Sequence, residues 1–327
     1  MHTAFVTGAN GFIGAALTRR LLDSGVVVRA LCRSQQKGAS LAAAGATVIQ
    51  GDIQDAAGLL RAAQGCDVVF HVAAVGAGSW QQQHDINVQG TRNVVEIAAQ
   101  VGAERLVHVS SIAVYGYEID GHIDEDYPHK PARLDAYMRT KAQGEAAAWE
   151  LAAQHNLPLA VVRPAFVYGP RSEHWSVNMY NLCRRFPVPH FAGGRGHAHP
   201  IYIDDVVDLL ITAATHPAAP GNAFHASSDP ASTWGEFLGY YARMAHNTRV
   251  VNIPLPPKLI FKPLCDIVSR LRGLAGGPND IYGALTYTTR HATFSMARAK
   301  ALLAWQAKVS LAEGMALTEA WLKQEIG

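Results

Sequence analysis

Thr7-Gly8-Ala9-Asn10-Gly11-Phe12-Ile13-Gly14 decides how this chain is read. Just before it, Thr3-Ala4-Phe5-Val6 is a short β-rich apolar run. Just after it, Ala15 to Leu22 carries apolar residues at helical spacing. Strand, glycine turn, helix is the arrangement in which a βα unit holds a pyrophosphate. Gly8 permits a tight turn, Gly11 lets backbone approach the ligand, and Gly14 lets helix pack on strand. The N–H groups that open the helix then face the phosphates. A glycine triplet alone is weak evidence; its strand-to-helix setting gives it weight. Gly8, Asn10, Gly11, Phe12, Ile13 and Gly14 are the first candidates for binding a cofactor.

Working outward, Val26 to Leu31 is a β-branched run and a second strand. In dinucleotide folds an acid at its end binds ribose hydroxyls, and a basic residue accommodates a 2′-phosphate. Here stand Cys32-Arg33-Ser34 and no acid. That favours NADP over NAD, with Arg33 as phosphate partner and Ser34 as helper. Ala46 to Ile53 is a third strand. Asp52, with Ile53 beside it, either meets the adenine amino group or caps the next helix. Asp67 to Ala74 is a fourth strand, apolar enough to be buried on both faces. Its small terminal residues, Ala73 among them, pass near the cofactor, and His71 reads as a satisfied core histidine. Asp85 to Val101 reads as a helix. Leu106 to Ser111 is a fifth strand with a hydroxyl pair at its end, where ligands sit in open α/β sheets. The acid-rich loop Glu118 to Pro131 reads as solvated surface. A long helix, Asp135 to His155, follows, then a sixth strand stopped by Pro164. Pro164 and Val167 complete the cofactor candidates.

The fold expected is α/β: a Rossmann-type doubly wound parallel sheet over residues 1–170, with a return near 200–226. A smaller substrate domain occupies most of 171–327. The 327 residues are 49% hydrophobic and 17% charged, which suits such a core. A net charge of +2 gives no case for nucleic acid. Four scattered cysteines argue against a disulfide framework or zinc and for a reducing, cytoplasmic setting. No leader or membrane-spanning run is apparent. His190, His197 and His199 are expected to line the substrate entrance rather than bind metal. Lys258 to Leu274 is amphipathic: a lid or surface helix, or, more sharply, a peripheral contact with a membrane surface.

Tyr137 and Lys141 are spaced i, i+4 on one helix face. A free tyrosine titrates near pH 10 and is a poor base. A nearby ammonium and an oxidised nicotinamide would favour its phenolate. Tyr137 is then a general acid/base for an alcohol or ketone. Lys141 tunes it and holds the nicotinamide ribose, and Ser111 hydrogen-bonds the substrate oxygen.

These pieces together resemble a known family. Thr7-Gly8-x-x-Gly11-x-x-Gly14, Asp52, His71-Val72-Ala73-Ala74, Asn87-Val88-x-Gly90-Thr91-x-Asn93, Ser110-Ser111-x-x-Val114-Tyr115-Gly116, Tyr137-x-x-x-Lys141 and Arg163-Pro164 are similar to the extended short-chain dehydrogenases/reductases, the epimerase/dehydratase superfamily. The resemblance implies Ser111, Tyr137 and Lys141 as a triad, and homodimers made by pairing helices near 87–101 and 137–154. The family's dehydratases carry an Asp-Glu pair after the catalytic hydroxyl; here stand Ile112 and Ala113. Its nucleotide-sugar epimerases carry a diphosphate-clamping arginine at the place of Ala198, for which Arg195 is only a loose substitute. The texture is nearest the 3β-hydroxysteroid dehydrogenase and dihydroflavonol-reductase-like branch, which implies an apolar or aromatic small-molecule ketone or secondary alcohol. A nucleotide-sugar epimerase with tightly held NAD and a non-catalytic NADP sensor are the rivals.

Overall fold

The computed structural model describes residues 1–132, 135–254, 263–265, 267–268 and 281–325. Seven strands form its central sheet: β1 (Thr3–Thr7), β2 (Val27–Cys32), β3 (Thr47–Gln50), β4 (Val68–His71), β5 (Arg105–Val109), β6 (Leu159–Pro164) and β7 (Asn222–Ala226). Their order is β7-β6-β5-β4-β1-β2-β3, and every neighbouring pair is parallel. Parallel neighbours need crossovers, and those place helices on both faces. The helices are α1 (Phe12–Asp23), α2 (Gln35–Ala43), α3 (Ala56–Ala63), α4 (Gly90–Gln100), α5 (Ala136–Gln154) and α6 (Ile203–Thr215).

Strand alternation splits the core in two. Phe5, Val69, Leu106 and Val161 face Leu59, Val95, Ala98, Ala148 and Leu151 of α3, α4 and α5. Ala4, Val6, Phe70, Val107 and Val162 face the other way, toward Leu17, Leu41, Leu209 and Leu210 of α1, α2 and α6. Each fully buried Leu, Val or Phe contributes about 1.5–3 kcal/mol. The order of strands reverses between β1 and β4, so a crevice opens beyond their C-terminal ends.

Beyond β6 the chain builds smaller units above that crevice. Phe166–Tyr168 pairs with Pro200–Tyr202, and Val188–Phe191 pairs with Val250–Ile253. Helices Asn178–Arg185 and Trp234–Met244 pack on each other. Thr233 caps the second of these in a reciprocal box with Glu236.

Two expectations change, and a third falls mostly outside the described residues. The Glu118–Pro131 loop is not simply solvated: Gly121–Ile123 pairs with Ala292–Phe294, and Glu125 is buried, accepting from the His225 amide. Its neighbouring arginines and that amide make burial tolerable. The helix expected from Asp85 starts earlier, at Trp80–His84, capped by Ser79, and passes through a wide π-type turn at Asp85–Gln89 before α4. The amphipathic segment 258–274, with Lys258, Lys262, Arg270 and Arg272, lies outside the described residues but for five positions. No helix among the described residues is long and apolar enough to cross a membrane.

Candidate active site

The glycine turn is built tightly. Gly8 has φ +67°, and a Cβ there would sit 2.7 Å from the Ala73 backbone. A Cβ on Gly14 would lie 2.1 Å from the Gly8 carbonyl oxygen, so α1 starts against β1 only because Gly14 has none. Gly11 caps α1 without a side chain, and no acid stands in the first turn. The opening N–H groups of α1 are therefore left for an anion. These features fit the pyrophosphate of a dinucleotide.

A cleft of about 440 Å³ runs from this turn to α5. Gly8, Asn10, Gly11, Phe12, Ile13, Gly14, Arg33, Asp52, Ile53, Ala73, Ser111, Tyr137, Lys141, Pro164 and Val167 all line it. Ser34 does not: its hydroxyl caps α2, accepting from the Lys37 amide at 3.3 Å. The helix-cap alternative for Asp52 also fails. Asp52 accepts from the Gln54 amide, and Asp55 caps α3. Ser172 to Trp175, which carried no signal beyond an irregular composition, closes the far end.

Beneath the cleft lies a row of polar side chains on one sheet face. His71 is fully buried, its Nδ1 2.8 Å from the Thr7 hydroxyl and its Nε2 2.9 Å from the Thr91 hydroxyl. Thr91 donates onward to the Asn87 carbonyl, so it accepts from His71 and the imidazole proton sits on Nε2. Burial, and then the Lys141 charge, push His71 down to about 3. It is neutral and structural, a satisfied core histidine. Asn87 pairs through both amide atoms with the Val75 backbone, at 2.9 and 2.8 Å, and donates to Thr140 of α5 at 3.0 Å. That clamp fixes α5 against the loop after β4, and so sets where Tyr137 stands.

Tyr137 sits at the floor of the cleft, partly open to it and otherwise enclosed. Ser111, just past β5, caps the short turn Ile112–Tyr115, accepting from the Ala113 amide, and lines the cleft with Tyr137. Lys141 is buried, its Nζ donating to the Val109 carbonyl at 2.7 Å. The expected lowering of the phenol is absent in the chain by itself. Burial pushes Tyr137 up to about 12, against the pull of Ser111, and Tyr287 and Asp135 add to the rise. Burial likewise brings Lys141 down to about 8. The reason is that low surrounding polarity disfavours both charges and Lys141 is committed to a strand carbonyl.

One turn beyond Lys141, Glu145 is fully buried against Arg163, whose Nη2 reaches it at 2.5 Å and Nε at 3.1 Å. Arg163 also donates to the Tyr115 hydroxyl at 2.5 Å and the Glu125 carbonyl at 2.7 Å. This pair was missed, although the spacing Tyr137, Lys141, Glu145 places it on the same helix face. The histidines expected at the entrance lie elsewhere. His199 is fully buried, and His197 packs on His291. An aromatic wall backs the cleft: Trp175 lines it and stacks on buried Phe166 at 4.2 Å, and Tyr287 and Trp234 each lie 5.4 Å from Phe166. Ile112, Ala113 and Ala198 are all buried, which leaves neither the Asp-Glu pair nor the clamping arginine at those places.

Residues 4–226 match the NAD dependent epimerase/dehydratase family, and the chain belongs to it. Relatives of this chain are named reductases and dehydrogenases. It is 30% identical over 250 residues to a 2-alkyl-3-oxoalkanoate reductase of Shewanella oneidensis, covering 72% of this chain and 64% of that protein's length. It is 25% identical to a decarboxylating sterol-4-alpha-carboxylate 3-dehydrogenase of Dictyostelium discoideum, over 96% of this chain and 99% of the relative. Among solved structures, MoeE5 in complex with UDP-glucose and NAD superposes with a TM-score of 0.77 at 26% identity, over 99% of this chain and all of that one.

Proposed function

We propose that the protein is an NAD(P)-dependent ketoreductase, reversibly an alcohol dehydrogenase, for a small molecule with an apolar or aromatic body. The observation that carries this reading is the cleft floor: a neutral, enclosed Tyr137 phenol beside Ser111, with Lys141 held one turn on. The glycine turn and Arg33 would hold the dinucleotide, and the nicotinamide would supply or accept the hydride. Arg33, exposed at the end of β2 with no acid beside it, supports NADP. Tyr137, kept protonated by burial, donates its proton to the carbonyl oxygen during reduction. Ser111 orients that oxygen through its hydroxyl. Lys141 holds the ribose side, and its ammonium favours the negative charge left on the phenol once the proton has gone. The aromatic wall takes the apolar body of the substrate.

The Shewanella and Dictyostelium names support carbonyl or carbinol chemistry, and both names put a carboxylate carbon two bonds from the reacting carbon. The likeness to MoeE5 keeps a nucleotide-sugar reading in view, but the buried Ala198 offers no cation to a diphosphate. The test is loss of reduced-nicotinamide absorbance with purified protein, NADPH or NADH, and a panel of apolar ketones. Turnover of ketones is expected. Stoichiometric bound NAD with epimerisation of UDP-glucose, and no ketone turnover, would contradict it.

A further inference from the structure

Arg290 follows the helix Ile281–Thr289 and is 5% exposed. It forms no ion pair with any carboxylate among the described residues. Its Nη1 donates to the Gly116 carbonyl at a long 3.3 Å. Its Nε and Nη2 have no hydrogen-bond partner and are closed off from solvent. The guanidinium lies over the Tyr287 ring at 3.8 Å and reaches within 5.6 Å of Phe294. Burial holds it below the ordinary arginine value, and Tyr287 only partly offsets that. Nearby His199 is buried behind Phe294 at 4.8 Å, its two ring nitrogens also without partners. Burial and then the Arg290 charge push His199 down to about 3, so it adds no second charge.

Enclosing an unpaired guanidinium is costly. Stacking on an aromatic ring leaves its in-plane N–H donors unmatched. Something else must match the remaining donors. Nε–H and Nη2–H lie on one edge of the planar fork, and that edge fits the two oxygens of a single carboxylate.

We propose that this edge of Arg290 is the subsite for a substrate carboxylate, so that the substrate is a 3-oxo or 3-hydroxy acid with an apolar tail. The proposal rests on the ketoreductase reading above. Tyr287 joins the two places: its face carries Arg290, and its ring packs on Phe166, which stacks on Trp175 at the cleft. The carboxylate is then bound on the Arg290 side of Tyr287 and the reacting oxygen on the cleft side. Phe166 and Tyr117 pack on that ring, Trp175 stacks on Phe166, and these aromatics accept the tail.

The experiment compares 3-hydroxydecanoate with its methyl ester, oxidised by NADP⁺ or NAD⁺, in the wild type, Arg290→Met and Arg290→Lys. Wild type should prefer the acid, and Arg290→Met should lower kcat/KM for the acid about 100-fold, the scale of an unmatched charge-assisted pair. The ester should change by less than about 3-fold, since it makes no such pair. Arg290→Lys, a point charge without the fork, should restore part of the loss. As a readout free of turnover, decanoate should raise the Tm of the wild type and not that of Arg290→Met. Equal losses for acid and ester, or no effect of decanoate on the wild type, would overturn the subsite. If other ketones are still reduced in that case, the ketoreductase reading stands without it. A Tm rise with UDP-glucose that needs Arg290, with decanoate inert, would overturn the subsite in favour of a diphosphate.

Discussion

Arg163 and Arg290 are both buried, at 4% and 5% exposure, yet they are opposites. Arg163 directs its fork at Glu145 and its remaining Nη1 hydrogens at Tyr115 and the Glu125 carbonyl. Burial pushes the Glu145 carboxyl up, but Arg163, His129 and Ser110 more than offset it, and it stays below the ordinary range. Arg290 has one long bond to a carbonyl and an aromatic face. The first arginine is finished by the fold: it ties β6 to α5 and to the loop after Ser111. The second is left incomplete against the Tyr287 ring. A charge completed internally is structural, and a charge left open awaits something from outside.

Stability measurements separate the two. Arg163→Met strands the buried Glu145 carboxylate and should destabilise the protein by about 3–5 kcal/mol, seen as a large fall in Tm or denaturant midpoint. A small effect would show that the network is not what holds α5. Lys141 gives an intermediate, pH-dependent effect. An unfolded lysine keeps its proton to near 10.5, but the folded one only to about 8. Between those values the unfolded chain binds more protons, so stability should rise with pH. Above about 10 Tyr137, raised in the fold, works in the opposite sense. Denaturation from pH 8 to 10 should therefore show a rise that Lys141→Met abolishes; an unchanged slope would remove Lys141 as its source. Arg290→Met should have the smallest effect, leaving Tm level or higher, because no partner is stranded. A fall as large as that of Arg163→Met would erase the distinction.

The same contrast explains what could be read from sequence. Gly8, Gly11 and Gly14 need fixed spacing to bring backbone to a phosphate, and Tyr137 and Lys141 need one helical turn, so local pattern carries them. The strands were legible because burial on both faces forces continuous apolar runs such as Val68 to Phe70. Glu125 was not, because an acid in a polar loop looks solvated until a distant arginine and the His225 amide enclose it. Arg290 was not either: it reaches its site through pairing of 121–123 with 292–294, a contact across 171 positions with no local signature. Ser34 and Asp52 were half legible, since a hydroxyl or carboxylate at a strand end serves a turn as readily as a ligand.

The most direct test of the account is the proton carried by Tyr137. Single-turnover reduction of an apolar ketone should be measured for the wild type and Tyr137→Phe, each with saturating reduced cofactor. The ring is retained and only the hydroxyl is lost, so cofactor affinity should hold while the rate falls by about 10²–10⁴. A Tyr137→Phe protein that reduces the ketone at the wild-type rate would contradict the assignment.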